Sequence, residues 1–371
     1  VDLDVKLSWT AGFGAKLHTV YFGDNFDDVN NAAGGLPQGA TTYTPGTLKL
    51  AKTYYWRVDE FDPPATYKGD VWSFTTQGGV GNPNPSKGAV DVKQTQILSW
   101  SPGVYAASHQ VYFGTDKEAV RNANSASPEY KGTKALASES YDPGKLLWDA
   151  TYYWRIDEVN NVNPDSPWTG NVWSFTTANF LFVDDFEDYD IGSNEIWWSW
   201  IDGLGYASHP TLPPYAGNGT GSMVGDETTG SYMEETIVHG GGKSMPVFYD
   251  NNQQGKLKYS EVEKTLTYPR DWTEKGVNTL TIWFRGDSAN AAETLYVALN
   301  GSAVVTHDNP NAAQIATWTA WNIDLQAFAD QGVNLANVNT IALGLGNKKN
   351  PQAGGSGTMY FDDIRLYPPA P

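Results

Sequence analysis

Thr53-Tyr54-Tyr55-Trp56-Arg57-Val58-Asp59-Glu60 recurs 98 residues later as Thr151-Tyr152-Tyr153-Trp154-Arg155-Ile156-Asp157-Glu158. Three further blocks recur around it in the same order. Leu7-Ser8-Trp9 returns as Leu98-Ser99-Trp100, Val20-Tyr21-Phe22-Gly23 as Val111-Tyr112-Phe113-Gly114, and Val71-Trp72-Ser73-Phe74-Thr75-Thr76 as Val172-Trp173-Ser174-Phe175-Thr176-Thr177. The offset grows from 91 to 98 to 101, so the second copy carries small loop insertions. Each block is aromatic and β-branched and alternates along the chain, which is the pattern of a strand. Tyr54, Trp56 and Val58 share one face; Tyr55 and Arg57 take the other. Glycine, proline and asparagine clusters separate the blocks as turns require. Trp56/Trp154 and Trp72/Trp173 recur in both copies, as do His18 and His109, and such recurrence reads as folding rather than function.

Short strands with regular turn signals predict an antiparallel β-sandwich. The Leu-Ser-Trp, Tyr-Tyr-Trp-Arg and Trp-Ser-Phe-Thr-Thr strands of residues 1–177 resemble tandem fibronectin type III domains of bacterial extracellular proteins. The boundaries expected are 1–78 and 79–178. By the 91-residue offset Val1 corresponds to Val92, so the first copy is expected to start within its own first strand, as a piece of a longer protein would.

Residues 179–371 hold no further copy. They open with Phe182-Val183-Asp184-Asp185-Phe186-Glu187 and close with Met359-Tyr360-Phe361-Asp362-Asp363-Ile364-Arg365-Leu366. Leu280–Arg285, Thr294–Leu299 and Thr340–Leu345 alternate as strands between them. Some 190 residues of strands fit a two-sheet jelly roll, so the whole chain reads as all-β. The opening Asp-Phe-Glu, Gly242-Lys243-Ser244-Met245 and the closing Tyr-Phe-Asp-Asp-Ile-Arg-Leu resemble a jelly-roll carbohydrate-binding module. That resemblance implies neighbouring first and last strands, and a structural calcium held by Asp184, Asp185, Glu187, Asp362 and Asp363. Calcium takes six to eight oxygens and would relieve the repulsion of closely set carboxylates; the plain alternative is a set of solvated strand-end acids.

Charge narrows the partner. The chain carries 42 acidic and 24 basic residues, net −18, and Lys348-Lys349 is its only adjacent basic pair, which disfavours nucleic acid. No apolar run reaches the ~18 residues of a membrane span. Without cysteine there is no disulfide framework, thiolate nucleophile or Cys-ligated metal. Residues 180–371 hold 23 acids against 10 bases, so a neutral polysaccharide is favoured over a sulfated or uronate-rich one. An aromatic face matches the C–H face of a pyranose. Ile196-Trp197-Trp198-Ser199-Trp200 and the following loop therefore supply the candidates Trp197, Trp198, Trp200, Tyr206, Tyr215 and Tyr232, with Arg270 as a polar partner. Read as a strand, Trp198 and Trp200 share a face and Trp197 takes the other, so at least one is core. Trp283, between Ile282 and Phe284, reads as core; Trp318 and Trp321 remain open.

Neither H-E-x-x-H nor G-x-S-x-G occurs. Glu261 and Glu263 share a strand face at a spacing a glycosidase could use, but Ser260–Thr265 reads as an ordinary solvated strand, and His239, before three glycines, as a turn residue. The expectation is thus a secreted or cell-surface protein whose C-terminal module binds polysaccharide without catalysis, on a fibronectin-like spacer. The competing class is a structural or adhesive surface protein, self-assembling or joined to further domains.

Overall fold

The computed structural model describes residues 1–46, 48–161, 166–228 and 233–369. The fold is all-β: strands carry it, and the helices are single turns or little more. No helix among the described residues is long and apolar enough to cross a membrane. The chain divides into two compact units, Val1–Ala178 and Asn179–Pro371.

The first unit holds both copies of the repeat. In the first, Thr53–Asp62 pairs with Leu17–Gly23 and with Val71–Thr75. In the second, Thr151–Val159 pairs likewise with Ser108–Gly114 and Trp173–Thr177. The registers coincide: Val20 faces Val58 as Val111 faces Ile156, and Trp56 faces Trp72 as Trp154 faces Trp173. The backbone N–H of Gln77 donates to Val1 as that of Ala178 does to Val92, in keeping with the offset.

The recurring Arg-x-Asp has a physical cause. Arg57 and Arg155 are 1% and 2% exposed. Arg155 Nε donates to Asp157 at 2.8 Å, and its guanidinium donates to the carbonyls of Val120 (2.8 Å), Arg121 and Ala123 (2.9 Å) at the end of the helix Lys117–Asn122. Arg57 does the same for Phe26–Asn31 through Val29, Asn30 and Ala32. The last carbonyls of a helix have no internal partner, and a planar five-donor fork satisfies several at once. Trp154 and Trp173 are core, at 0% and 5% exposed, whereas Trp72 is 44% exposed. His109 is fully buried between Glu158 (2.8 Å) and Glu139 (3.2 Å), a structural role.

The second unit has two antiparallel sheets. The front sheet runs Ser222–Met223, Met245–Asp250, Ser356–Tyr367, Thr279–Arg285, Thr319–Asp324. The opening strand Leu181–Asp184 also pairs with the closing one, Leu181 facing Leu366, so first and last strands are neighbours as expected. The back sheet runs Trp200–Ile201, Tyr259–Thr265, Thr340–Gly346, Leu295–Leu299, Ala303–Thr306. Alternation builds the core: Leu280, Ile282 and Phe284 of the front sheet and Leu295, Val297 and Leu299 of the back sheet are wholly buried.

Candidate functional site

The same alternation that turns Leu280, Ile282 and Phe284 inward turns Thr281, Trp283 and Arg285 onto the outer face of the front sheet. Trp283 is half-buried and is not core, contrary to the sequence expectation. Cross-strand pairing spreads this face sideways. Trp283 faces Ala320, Thr281 faces Asn322, Arg285 faces Tyr360, Pro246 faces Tyr360, and Phe248 faces both Met223 and Thr358. Trp318 immediately precedes the edge strand; Trp321 is only 9% exposed and lies against His307. Phe248 is 48% exposed. Burial and the nearby Glu234 and Asp287 push the Tyr360 hydroxyl up, so it stays protonated.

Two clefts open on this face. One, of about 460 Å³, is lined by Trp283, Thr281, Ala320, Asn322 and Tyr367. The other, of about 400 Å³, is lined by Phe248, Met223, Thr358, Asp250 and Lys256. Thr358 and Tyr367, one in each, lie roughly 30 Å apart along the closing strand at ~3.4 Å per residue. Arg285 Nε and Trp318 Nε1 are buried and have no acceptor among the described residues.

Trp283 is braced from one side. The His239 ring stacks on it with centroids 3.7 Å apart, and Trp318 meets His239 edge-on at 5.9 Å. His239 Nδ1 lies 2.6 Å from Asp363, which also accepts from Arg365 at 2.6 Å. Trp283 lines the 460 Å³ cleft and His239 does not. His239 is thus more than a turn residue.

The acids expected to ligate calcium are arranged differently. Asp362, wholly buried, accepts the backbone N–H groups of His239 (2.8 Å) and Gly240 (3.1 Å), and burial pushes its carboxyl up to about 7. Glu187 accepts from Gly242 and Lys243, both at 2.9 Å. A side chain at Gly241, where φ is 61°, would meet Glu187 at 2.3 Å, which is why glycine stands there. Asp184 accepts from Tyr189 (2.7 Å), Trp200 Nε1 (2.8 Å) and Phe186 N (2.9 Å), and pairs with Lys264 at 2.9 Å. Asp185 is half-buried beside it. Donor hydrogens thus reach both oxygens of Asp184, Asp362 and Asp363 and one oxygen of Glu187. Among the described residues no three His, Asp or Glu side chains gather as a metal-ligating group. As arranged, the set fastens the loop that carries His239.

The tryptophan-rich segment also departs from the expectation. Ile196–Ser199 is a helical turn, not a strand. Helical spacing puts Trp197 and Trp200 on one side, 2% and 0% exposed, and turns Trp198 outward, half-buried. Trp198 Nε1 donates to Ser208 O at 3.1 Å, and its ring lies 4.9 Å from His209. Tyr206 and Tyr215 close the same loop, their backbones bridged and rings 5.8 Å apart, with Tyr206 9% exposed. These aromatics pack on each other rather than forming an open platform. Tyr232 lies outside the described residues. Arg270 is exposed and donates to Asn337 and Asn339, not to the aromatic loop. Glu261 is not solvated: at 7% exposed, it is held by Lys348 (2.7 and 2.8 Å) and Tyr296 (2.9 Å). Burial raises the Glu263 carboxyl, helped by the Glu261 charge.

No family model matches this chain. Over 193 residues it is 26% identical to Chitinase 63 of Streptomyces plicatus, a match covering 47% of this chain and 30% of that protein. The chain therefore spans less than a third of that relative's length. A family 11 carbohydrate-binding module of the cellulase Lic26A-Cel5E of Clostridium thermocellum is similar at 16% identity and a TM-score of 0.32, over 51% of this chain and 94% of that one. A family 30 carbohydrate-binding module gives 16% and 0.29, over 40% and 91%.

Proposed function

We propose that residues 179–371 bind a polysaccharide without cleaving it, outside the cell, and that the two repeats of residues 1–178 serve as its spacer. One observation carries this reading: Trp283, Tyr360 and Phe248 share the outer face of a single sheet, and two clefts open on that face, one lined by Trp283 and the other by Phe248. Aromatic faces match the C–H faces of sugar rings, and the clefts have the size of small-ligand sites. Thr281 and Asn322 in the larger cleft offer hydrogen bonds to hydroxyls. The acidic excess of this unit favours a neutral chain. Glu261, pinned by Lys348 and Tyr296, is not free to work as half of a carboxylate pair, which supports binding over hydrolysis.

Affinity electrophoresis against soluble β-glucans, xylan and an acidic polysaccharide, with a chitin pull-down, tests the reading. Retention by a neutral glycan is expected. Release of reducing ends would make the protein an enzyme. No retention, with ordered polymers by electron microscopy, would replace binding by a structural role.

A further inference from the structure

The two repeats of the first unit lock together at one joint. Asn171 of the second repeat bridges Thr53 and Thr75 of the first. Its Oδ1 accepts the Thr53 hydroxyl at 3.0 Å, its Nδ2 lies 3.5 Å from Thr75 Oγ1, and the two hydroxyls are 2.9 Å apart. Ala51 and Thr169 line the same gap, which is closed to about 10 Å³. Trp168 is 6% exposed, and a side chain at Gly103 would meet the Gly78 carbonyl at 2.2 Å. Each half of this joint has an open counterpart. On the first repeat, Gly69 N donates to Asp59 (3.1 Å) as Gly170 N does to Asp157 (3.0 Å), and Gly12 N to Glu60 as Gly103 N to Glu158. Tyr67, Lys68 and Asp70 therefore stand where Trp168, Thr169 and Asn171 do, yet Tyr67 is 62% exposed and Lys68 and Asp70 are exposed with it. On the second repeat, the Thr151 and Thr176 hydroxyls lie 3.0 Å apart as those of Thr53 and Thr75 do, and Asp149 (φ 48°) takes the place of Ala51 (φ 51°). Asp149 and Thr151 are exposed.

We propose that the loop 67–70 of one copy docks on the edge formed by Thr151 and Thr176 of a second copy, repeating between chains the joint that the repeats make within one. The residue changes suit a partner of this sequence. Asp70 can accept from both threonine hydroxyls, where Asn171 accepts from one. Lys68, at the Thr169 position, meets Asp149, at the Ala51 position, so an ion pair replaces a neutral contact. Within its own chain Lys68 donates to the neutral Asn30 side chain at 3.0 Å. Loop and edge are different surfaces, so the contact is heterologous, and each chain can take a partner at both, giving head-to-tail rows. The linker that holds the joint within a chain is absent between chains, so the association is weak and grows with concentration. The proposal does not rest on glycan binding by residues 179–371.

The chain has no cysteine, so introduced pairs report the contacts. Thr53→Cys with Asn171→Cys is expected to close within one chain on air oxidation, which verifies the template joint. Asp70→Cys with Thr151→Cys is expected to give a ladder of disulfide-linked multimers under the same conditions, whereas Asp70→Cys alone can give no more than a dimer. Sedimentation equilibrium of the full chain at low salt reads the affinity. Lys68→Glu and Asp149→Lys are each expected to weaken self-association about fivefold, and the two together to restore it. A double-cysteine chain that stops at the dimer, a template pair that does not close, or charge reversals that leave self-association unchanged or unrestored would overturn the proposal. A monomer at every concentration would do the same.

Discussion

Replacing Trp283 by alanine is expected to weaken glycan binding about 60-fold while leaving the second unit folded. His239 covers one side of the indole at 3.7 Å, so a sugar ring has only the other side to stack on. That side is about half of the ~200 Å² of a tryptophan side chain, roughly 100 Å². At about 25 cal/mol per Å² its burial contributes about 2.5 kcal/mol, and each ~1.4 kcal/mol is a factor of ten. The core is untouched, because Leu280, Ile282 and Phe284 point the other way and are wholly buried. Affinity electrophoresis reads the loss, and a thermal melt confirms the fold. Replacing Asp363 by asparagine should give a smaller loss through the same ring, since Asp363 holds His239 and His239 backs Trp283. A Trp283→Ala protein that keeps its affinity within twofold, while Trp198→Ala abolishes it, would refute the front-sheet assignment and return the site to the aromatic loop.

Three further outcomes follow from the structure. Arg155→Ala removes the partner of buried Asp157 and of three helix-end carbonyls, and should cost about 3–5 kcal/mol in urea unfolding; Arg155→Lys should not rescue it, and a loss under ~1 kcal/mol would show that the cap is idle. Burial lowers the His307 pKa, so the folded chain favours the neutral ring. The unfolded chain then takes up the proton at higher pH than the folded one. Stability from this residue is present above pH 6.5 and lost on acidification below it; His307→Gln should flatten urea-unfolding stability between pH 7.5 and 5, and an unchanged slope would contradict this. Chelation should leave the melting temperature within about 1 °C, because protein donors already engage the carboxylates of Asp184, Glu187, Asp362 and Asp363; a drop of several degrees would show that calcium is held there.

Much of the fold was legible because strand alternation is a local property. The repeat blocks pair in equivalent registers, and the opening and closing strands lie side by side. The site was legible only in part. Alternation already separated Trp283 from Ile282 and Phe284, yet a tryptophan between two core residues invited the opposite reading. In Trp197-Trp198-Ser199-Trp200 the error was one of period: a helical turn buries Trp197 with Trp200, where a strand would have separated them.

What the sequence by itself determined was the all-β class and the duplication, since period-2 patterning and recurrence depend on neighbours in the chain. Tertiary structure alone decided what the acidic and aromatic side chains do. Asp363 meets His239 across 124 residues, and Glu261 meets Lys348 across 87. Whether a carboxylate holds a metal, a lysine or a backbone amide depends on which donor the fold brings within about 3 Å, and residue type and local spacing carry no record of that partner.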